Sequence, residues 1–391
     1  MGKLNVFAIS LPNQYAVYHA GEVVQGHVLV ELNEPMKMRG VRIELKGFAY
    51  VHWTEQHTTH TGKSSHTTTR HYSATENYFH HIITLFGKGP NDRGDDPTLP
   101  AGSHTFPFSF QLPHGLPSSF EGDWGHVRYS MLGTIDKPWK FDHHTKRAFT
   151  VLSVLDLNTR PDAAMGMEGQ NSKTLCCLCC ASGPITAKIS IPKKGYVPGE
   201  TIHVTAEVNN HSSRKMDRVM FVLRQSIAFH ATTKTRYSSK NVLNIVKGEV
   251  APGDSEAWRN ETIIIPPIPP SELVGCRIID IQYYMCIVVD PSGPAFDLEV
   301  PLEILVGTVP LRTTYPQYGF GANYNTVYSS NQPPPPLPVQ PSAPPTDAAV
   351  PPPPSYSACV FGAVDIKDDA DNEYTKGDLQ YTPVYTYYDR I

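Results

Sequence analysis

The feature that most constrains this chain is an alternation of apolar and polar residues, which recurs from the N-terminus to about residue 308. Residues 41–46 place Val, Ile and Leu on one side and Arg, Glu and Lys on the other, and residues 127–131 and 202–208 alternate likewise. A period of two puts one face of a strand in a core and the other in water. Such strands recur between Gly, Pro, Asn and Asp turns without a convincing helical stretch, which predicts an all-β fold of sandwiches.

An internal repeat divides this region in two. Residues 18–22 and 196–200 share the pattern Tyr-x-x-Gly-Glu, and a strand follows each. Later, a proline-rich corner precedes a strand that contains Tyr129 in the first half and Tyr283 in the second. The shared order predicts one sandwich fold used twice, and a chance repeat of generic strand pattern is the alternative. We therefore expect a first sandwich at 1–155, a connection at 156–182 and a second sandwich at 183–308.

The tail, residues 309–391, has a different composition. Residues 333–354 contain 12 prolines in 22 positions and no aliphatic periodicity. Such a segment buries too little apolar surface to offset its ordering entropy, so we expect a disordered, partly polyproline II chain. An acidic stretch at 365–373 and a tyrosine-rich end at 381–388 follow.

Charge and motifs exclude several function classes. The 33 Lys and Arg against 37 Asp and Glu argue against a nucleic-acid partner bound through its phosphates. We find no apolar run long enough for a spanning helix and no apolar region of a signal peptide, so we expect a cytosolic chain with reduced thiols. A nucleophile elbow, a P-loop, Rossmann glycines and a zinc-protease helix are all missing from the sequence, so we expect no enzyme, no catalytic residue and no cofactor.

Pro353, Pro354 and Tyr356 form a PPxY motif. Prolines pre-organise the polyproline II conformation, and their rings can lie in an aromatic groove while the tyrosine enters a neighbouring pocket. This is how a WW domain reads its ligand, and a proline-rich spacer with one chance tyrosine is the alternative. Pro383 and Tyr385 repeat a degenerate form, 29 positions beyond Tyr356. A flexible linker of that length spans roughly 30 Å, which would let two adjacent WW domains bind at once.

Two further tail patterns resemble sorting signals. Pro341, Ser342, Ala343 and Pro344 spell the PSAP tetrapeptide that docks in the UEV domain of the endosomal sorting machinery, although proline-rich sequence generates it easily. Residues 381–384 fit the common Tyr-x-x-apolar signal of clathrin adaptors, but they overlap the second WW candidate.

The expected connection contains four cysteines within a span of five residues: Cys176, Cys177, Cys179 and Cys180. Four thiolates so close together cannot readily surround one zinc ion, and a redox pair requires a different fold context. Palmitoylation at a membrane face is one alternative, and burial as small apolar residues is the main one. Seven histidines between 52 and 81 lie among Thr and Ser, and we expect a polar, mobile hairpin loop, with pH sensing or adventitious metal binding as the alternative.

Several features together resemble the alpha-arrestins, and most closely the animal subgroup with arrestin domain-containing proteins two to four. They are Tyr18 with Gly21 and Glu22, the sequence Val-His-Trp-Thr-Glu at 51–55, residues 173–177 leading to 182–185, residues 306–312, and the PPxY tail. The resemblance covers essentially the whole chain. It implies two arrestin-like, immunoglobulin-type β-sandwiches followed by a flexible tail.

The resemblance also implies a function. The lobes of an alpha-arrestin engage membrane cargo such as receptors or transporters, and its tail recruits HECT-type ubiquitin ligases through their WW domains. Such an adaptor is cytoplasmic, associates peripherally with membranes and is recruited to the plasma membrane and endosomes. The ligase contacts map onto Pro353, Pro354 and Tyr356. Basic patches for acidic lipids or phosphorylated tails would use Arg39, Arg42 and Lys46, or Arg214, Lys215 and Arg218.

Two alternatives to the ligase adaptor stay open. The first is a trafficking scaffold of the same fold that binds cargo or coat proteins without ubiquitin chemistry. The second is a metal- or redox-active protein that uses the cysteine cluster.

Overall fold

The computed structural model describes residues 3–13, 15–61, 64–177, 180–313, 355–368, 371 and 373–389. Helical structure in these residues is confined to two short 3-10 turns, Leu157–Thr159 and Ser271–Leu273. A membrane-spanning helix is not found among the described residues. The prediction of an all-β fold is confirmed.

The first sandwich, or first lobe, consists of two sheets with the strand orders β1-β3-β8 and β2-β11-β10-β5-β6. Its strands are β1 (Leu4–Ser10), β2 (Val17–His19), β3 (Val23–Leu32), β4 (Met36–Lys37), β5 (Gly40–Thr61), β6 (Ser64–Gly87), β7 (Thr98–Leu99), β8 (Gly102–Gln111), β9 (Phe120–Glu121), β10 (Gly125–Asp136) and β11 (His143–Leu152). The histidine-rich stretch was expected to be a mobile loop, and this is wrong for most of it. It forms the long β5–β6 hairpin, in which even His57 faces Thr68 in register.

The second sandwich, or second lobe, repeats this arrangement, with the strand orders β12-β13-β15-β18 and β14-β20-β19-β16-β17. Its strands are β12 (Met167–Cys177), β13 (Cys180–Ile191), β14 (Gly195–Tyr196), β15 (Thr201–Asn210), β16 (Met216–His230), β17 (Thr235–Val250), β18 (Ser255–Ile264), β19 (Ile279–Pro291) and β20 (Leu298–Val306). Because β12 pairs with β13, the first strand of this sheet starts at Met167, within the expected connection. Much of the expected connection therefore belongs to a sheet.

The repeated sequence pattern has the same structural cause in both lobes. Glu22 accepts a hydrogen bond from the His19 backbone N–H at 2.8 Å, and Glu200 accepts one from the Val197 N–H at 3.1 Å. In each case the glycine before the glutamate has a positive φ, which residues with a side chain adopt at a cost. The carboxylate thus closes the turn that feeds the next strand.

The two proline corners are also equivalent. The Tyr129 hydroxyl donates to the Pro117 carbonyl at 2.7 Å, and the Tyr283 hydroxyl donates to the Pro269 carbonyl at 2.8 Å. Both side chains are fully buried. A buried phenol needs a hydrogen-bond partner, and here it fixes the chain that crosses from one sheet to the other. The internal repeat is therefore a repeat of structure.

The alternating strands supply the core as predicted. Val41, Ile43 and Leu45 are fully buried in β5, and their polar neighbours face outward. Between the lobes, Phe120 packs near Phe229 with their ring centroids 6.5 Å apart. Buried apolar residues of both lobes form one contiguous cluster, so the lobes share a packed interface.

The final part of the tail corrects one prediction. Residues 355–368 and 373–389 were expected to be disordered, but they form strands: β21 (Ser355–Ala358), β22 (Val364–Asp365), β23 (Thr375–Asp378), β24 (Gln380–Tyr381) and β25 (Val384–Tyr387). These residues bury several tyrosine rings and a cysteine, which offsets the entropy of ordering them. The proline-rich residues 333–354, on which the prediction of disorder was based, lie outside the described residues.

Candidate functional site

The described tail residues 355–368, 371 and 373–389, here called the C-terminal segment, lie against the folded body. Strand β23 extends the sheet of the first lobe by pairing in parallel with β11, from His144 opposite Thr375 to Arg147 opposite Asp378. Gly377 has a φ of 112°, and a side chain there would collide with the Lys146 carbonyl. The close approach of the two backbones therefore requires glycine.

Two tyrosines of the C-terminal segment are buried in the first lobe. Tyr385 is 2% exposed, and its hydroxyl donates to the Ser119 carbonyl at 2.9 Å. Tyr381 is 7% exposed, and its hydroxyl lies 3.1 Å from the Thr150 hydroxyl. Burial raises the pKa of both phenols above the ordinary tyrosine value, so both are neutral at physiological pH. They act as hydrogen-bonded anchors.

A third tyrosine attaches the segment to the second lobe. Tyr388 is 1% exposed, its hydroxyl donates to the Thr308 carbonyl at 2.7 Å, and its backbone N–H donates to the Pro198 carbonyl at 3.0 Å. Gly199 has no side chain to obstruct this contact, whereas a Cβ there would collide with the Tyr388 carbonyl. The C-terminal segment therefore bridges both lobes.

An ion-pair cluster holds the middle of the segment. The Lys146 ammonium lies 2.7 Å from Asp368 and 2.9 Å from Asp371. The Lys146 side chain is 8% exposed and that of Asp371 is 10% exposed, so this pair is shielded from water. A shielded charge is costly without its partner, so loss of Lys146 or of Asp371 destabilises the docked segment.

Tyr356 of the PPxY motif lies in β21, opposite Thr386 of β25. It is half-buried, and its ring centroid lies 6.1 Å from that of Tyr15. It also packs against a small apolar cluster formed by Val17, Leu152, Cys359 and Tyr385. The ring that a WW domain would bind is thus in contact with the body of the protein.

The structure separates the predicted tail residues into two groups. Pro353, Pro354 and the tetrapeptide at 341–344 lie outside the described residues. Pro383 and Tyr385 are both buried, and the Pro383 carbonyl accepts from the Cys359 N–H at 2.9 Å. The expectation that they are an accessible second WW ligand is therefore wrong for this conformation, because these residues anchor the segment.

The docking of this segment is not among the predictions from sequence, although a signal for it is present. Tyr381, Pro383 and Tyr385 are buried, while the residues between them are more exposed. This is the period of two that identified strands elsewhere. The role of Lys146 had no comparable signal, because its partners are more than 220 positions away.

The cysteine cluster lies at the end of the β12–β13 hairpin of the second lobe, and not in a connection between lobes. Cys177 is opposite Cys180 and Cys176 is opposite Ala181, whereas Cys179 lies outside the described residues. Where the structure is described, no group of three or more His, Cys, Asp or Glu side chains is arranged to hold a metal. Lipidation of this hairpin stays a prediction.

Most of the cations proposed for basic patches are paired within the protein. Arg39 and Arg42 both bind Asp136, each at 2.9 Å, and Lys46 lies over the Phe48 ring. The second-lobe cations pair similarly, Lys215 with Glu249 at 2.9 Å and Arg218 with Asp290 at 2.7 Å. Neutralised cations attract a distant anion weakly, so these residues are poor candidates for anion-binding patches.

Comparison with known proteins agrees with this architecture. The model of the N-terminal domain of arrestin (or S-antigen) matches residues 7–158, and the model of its C-terminal domain matches residues 181–311. Arrestin domain-containing protein 17 of Caenorhabditis elegans is 35% identical over 325 residues, which cover 79% of this chain and 72% of the relative. Human arrestin domain-containing protein 4 is 32% identical over 314 residues, which cover 80% and 72%. With both arrestin domains in tandem and such relatives, this chain belongs to the arrestin domain-containing proteins, the alpha-arrestins.

Proposed function

We propose that this protein is an adaptor that links membrane cargo, such as receptors or transporters, to HECT-type ubiquitin ligases. Membership of the arrestin domain-containing family supports a trafficking adaptor role. The ligase is recruited when a WW domain binds Pro353, Pro354 and Tyr356. The protein then acts at the plasma membrane and endosomes, where cargo is modified and sorted.

The observation that carries this proposal is a PPxY motif in the sequence of a chain that folds into two arrestin lobes. The lobes offer large, rigid sheet surfaces for cargo, while Tyr356 lies in β21 at the start of the C-terminal segment. A rigid body that selects cargo and a peptide that selects a ligase are the two parts that such an adaptor needs.

Binding by a WW domain requires β21 to leave its place. The domain takes the tyrosine side chain into its own pocket, and the Tyr356 ring is half-buried against Tyr15 and the apolar cluster. Strand β21 also pairs with β25, which Tyr385 anchors to the first lobe. Ligase recruitment therefore competes with docking of the C-terminal segment.

Pulldown of the full-length protein by a tandem WW domain from a HECT ligase tests the proposal. Replacing Tyr356 by Ala is expected to abolish capture, because one pocket of the WW domain loses its ligand. Tyr237→Ala is the matched control, since that ring is 73% exposed and lies on the second lobe. Equal capture of the wild type and of Tyr356→Ala would reject this recruitment site.

A second candidate function is a trafficking scaffold that binds cargo or coat proteins without recruiting a ligase. The docked position of Tyr356 and the burial of Tyr385 favour it, because both rings are engaged within the protein. Unchanged cargo turnover after depletion of WW-containing ligases would support the scaffold. Slower turnover would support the adaptor.

The tetrapeptide Pro341, Ser342, Ala343 and Pro344 adds a proposed contact with the UEV domain of the endosomal sorting machinery. Pro344→Ala is expected to remove binding of an isolated UEV domain to the full-length protein. If this substitution leaves UEV binding unchanged, the tetrapeptide is not the binding site and is only part of a proline-rich spacer.

A further inference from the structure

The loop between β10 and β11, residues 137–142, exposes two aromatic rings. Trp139 is 96% exposed and Phe141 is 70% exposed. Isolated exposed apolar residues are ordinary on protein surfaces, but two large exposed rings on one short loop form an apolar tip. Neither the fold nor the ligase motif accounts for this tip, which lies on the first lobe.

The loop holds its rings in a defined position. The Asp142 carboxylate accepts a hydrogen bond from the Lys137 backbone N–H at 2.9 Å and closes the turn. Trp139 has a φ of 61°, a left-handed conformation that is unfavourable for a residue with a bulky side chain. Phe141 stacks on Tyr374 of the C-terminal segment, with ring centroids 5.7 Å apart. A strained residue that carries a solvent-exposed indole indicates a functional constraint.

Three lysines without a carboxylate ion pair lie near the tip, together with Asp142 of the loop and Glu373 beside Tyr374. Among the described residues, Lys137, Lys140 and Lys376 form no ion pair with a carboxylate, and the Lys137 ammonium lies 2.8 Å from a ring nitrogen of His143. Burial and then the Lys140 charge lower the pKa of Lys137, and burial followed by Lys137 and Lys376 lowers that of His143, while the Asp142 carboxylate acts in the opposite direction on both. The three lysines outnumber this carboxylate, so the loop favours an anionic surface.

We propose that the loop at residues 137–142 docks on the anionic surface of a membrane, with Trp139 and Phe141 entering the headgroup region and Lys137, Lys140 and Lys376 facing acidic lipids. Tryptophan partitions preferentially into the bilayer interface, and flanking lysines gain from anionic headgroups. A six-residue loop offers little area to a protein partner, which needs an extended interface, whereas two rings suffice to enter a bilayer interface. This proposal goes beyond ligase recruitment and does not depend on it.

Vesicle binding by the full-length protein tests this assignment. The probes are phosphatidylcholine vesicles and vesicles in which part of that lipid is replaced by phosphatidylserine. Trp139→Ala combined with Phe141→Ala is expected to lower co-sedimentation with the anionic vesicles roughly ten-fold, and Lys140→Glu alone several-fold. Added salt should weaken binding by the wild type, because it screens the lysines.

Phe296→Ala is the matched control. Phe296 is 88% exposed and Lys173 lies 5.6 Å from its ring centre, but both belong to the second lobe. It is expected to bind vesicles like the wild type. An unchanged unfolding midpoint in every variant shows that the fold is intact, which is expected because the substituted side chains are exposed.

Tryptophan fluorescence gives an independent readout. The protein has four tryptophans, and Trp139 is the one that is nearly fully exposed. A blue shift on anionic vesicles that disappears in Trp139→Phe, while co-sedimentation persists, would support insertion of this indole. Vesicle binding that survives the double alanine change, or that Phe296→Ala reduces equally, would overturn the proposal. The double alanine variant should still bind WW domains, so failure here is distinct from failure of ligase recruitment.

Discussion

Replacement of Tyr385 by Ala distinguishes the two roles that this tyrosine can have. As part of a second WW ligand, its loss should weaken binding to a tandem WW domain. As an anchor of the C-terminal segment, its loss should strengthen binding, because it releases Tyr356. Weaker binding to the WW domain would therefore support the second-ligand role, and stronger binding would support the anchor role.

The magnitude follows from burial and one hydrogen bond. Tyr385 is 2% exposed, so truncation removes a whole buried ring, which costs about 3–5 kcal/mol in a well-packed site. The hydrogen bond to the Ser119 carbonyl accounts for about 1 kcal/mol of such a loss. Partial relaxation of a surface groove reduces the cost, and about 3 kcal/mol is a reasonable expectation.

That free energy converts directly into apparent affinity. When only the undocked state binds, the apparent dissociation constant is the intrinsic constant divided by the undocked fraction. A loss of about 3 kcal/mol in docking raises a small undocked fraction roughly 100-fold, and the gain stops when the segment is fully undocked. A free peptide spanning residues 345–362 gives that upper limit, because it contains the PPxY motif without the docking surface.

Titration calorimetry with a purified tandem WW domain measures the effect. The wild type should bind more weakly than the peptide, and Tyr385→Ala should approach the peptide. Tyr387→Ala is a control on the same strand, because that ring is less buried and its loss should change affinity less. Weaker binding by Tyr385→Ala, or wild-type protein that already matches the peptide, would refute the reasoning.

Three further predictions concern stability and docking. Tyr129→Phe leaves the Pro117 carbonyl without its donor and should lower the free energy of unfolding by about 1–2 kcal/mol in denaturant titrations, whereas an unchanged value would show that the corner needs only the ring. Lys146→Met leaves Asp371 shielded and unpaired, so amide hydrogen exchange in β23 should become faster, and unaltered exchange would contradict the role of the ion pair. The pKa of Tyr385 is raised in the docked state, so docking is fully favoured below the pKa of the undocked tyrosine, near 10, and is lost as pH rises through the pKa of the docked tyrosine. Tryptic cleavage of the segment should therefore increase only in strong alkali. Release of the segment below pH 9 would contradict this.

Much of the fold was predictable because its signals are local. The period of two in residues 41–46 identified buried Val41, Ile43 and Leu45, and the pattern at 18–22 and 196–200 identified two equivalent turns. The limits of the second lobe were harder to predict from sequence, because assigning β12 to a sheet requires knowing that it pairs with β13.

The candidate site was only partly predictable. The PPxY motif is a contiguous pattern and is readable as such, but the accessibility of Tyr356 depends on residues distant in sequence. Trp139 and Phe141 likewise look like ordinary strand or turn residues until their exposure is known. Exposure is a property of the assembled surface, so local sequence does not determine it.

By itself, the sequence determined the strand periodicity, the internal duplication and the presence of a linear motif. Each of these depends on patterns that are short and contiguous in the chain. Only the tertiary structure decided what the tyrosine-rich end does. Tyr385 reaches the Ser119 carbonyl across 266 positions, and Lys146 meets its carboxylates across more than 220. The free energy that orders this end comes from contacts that exist only after both lobes have folded, so the composition of the tail did not predict that its end is docked.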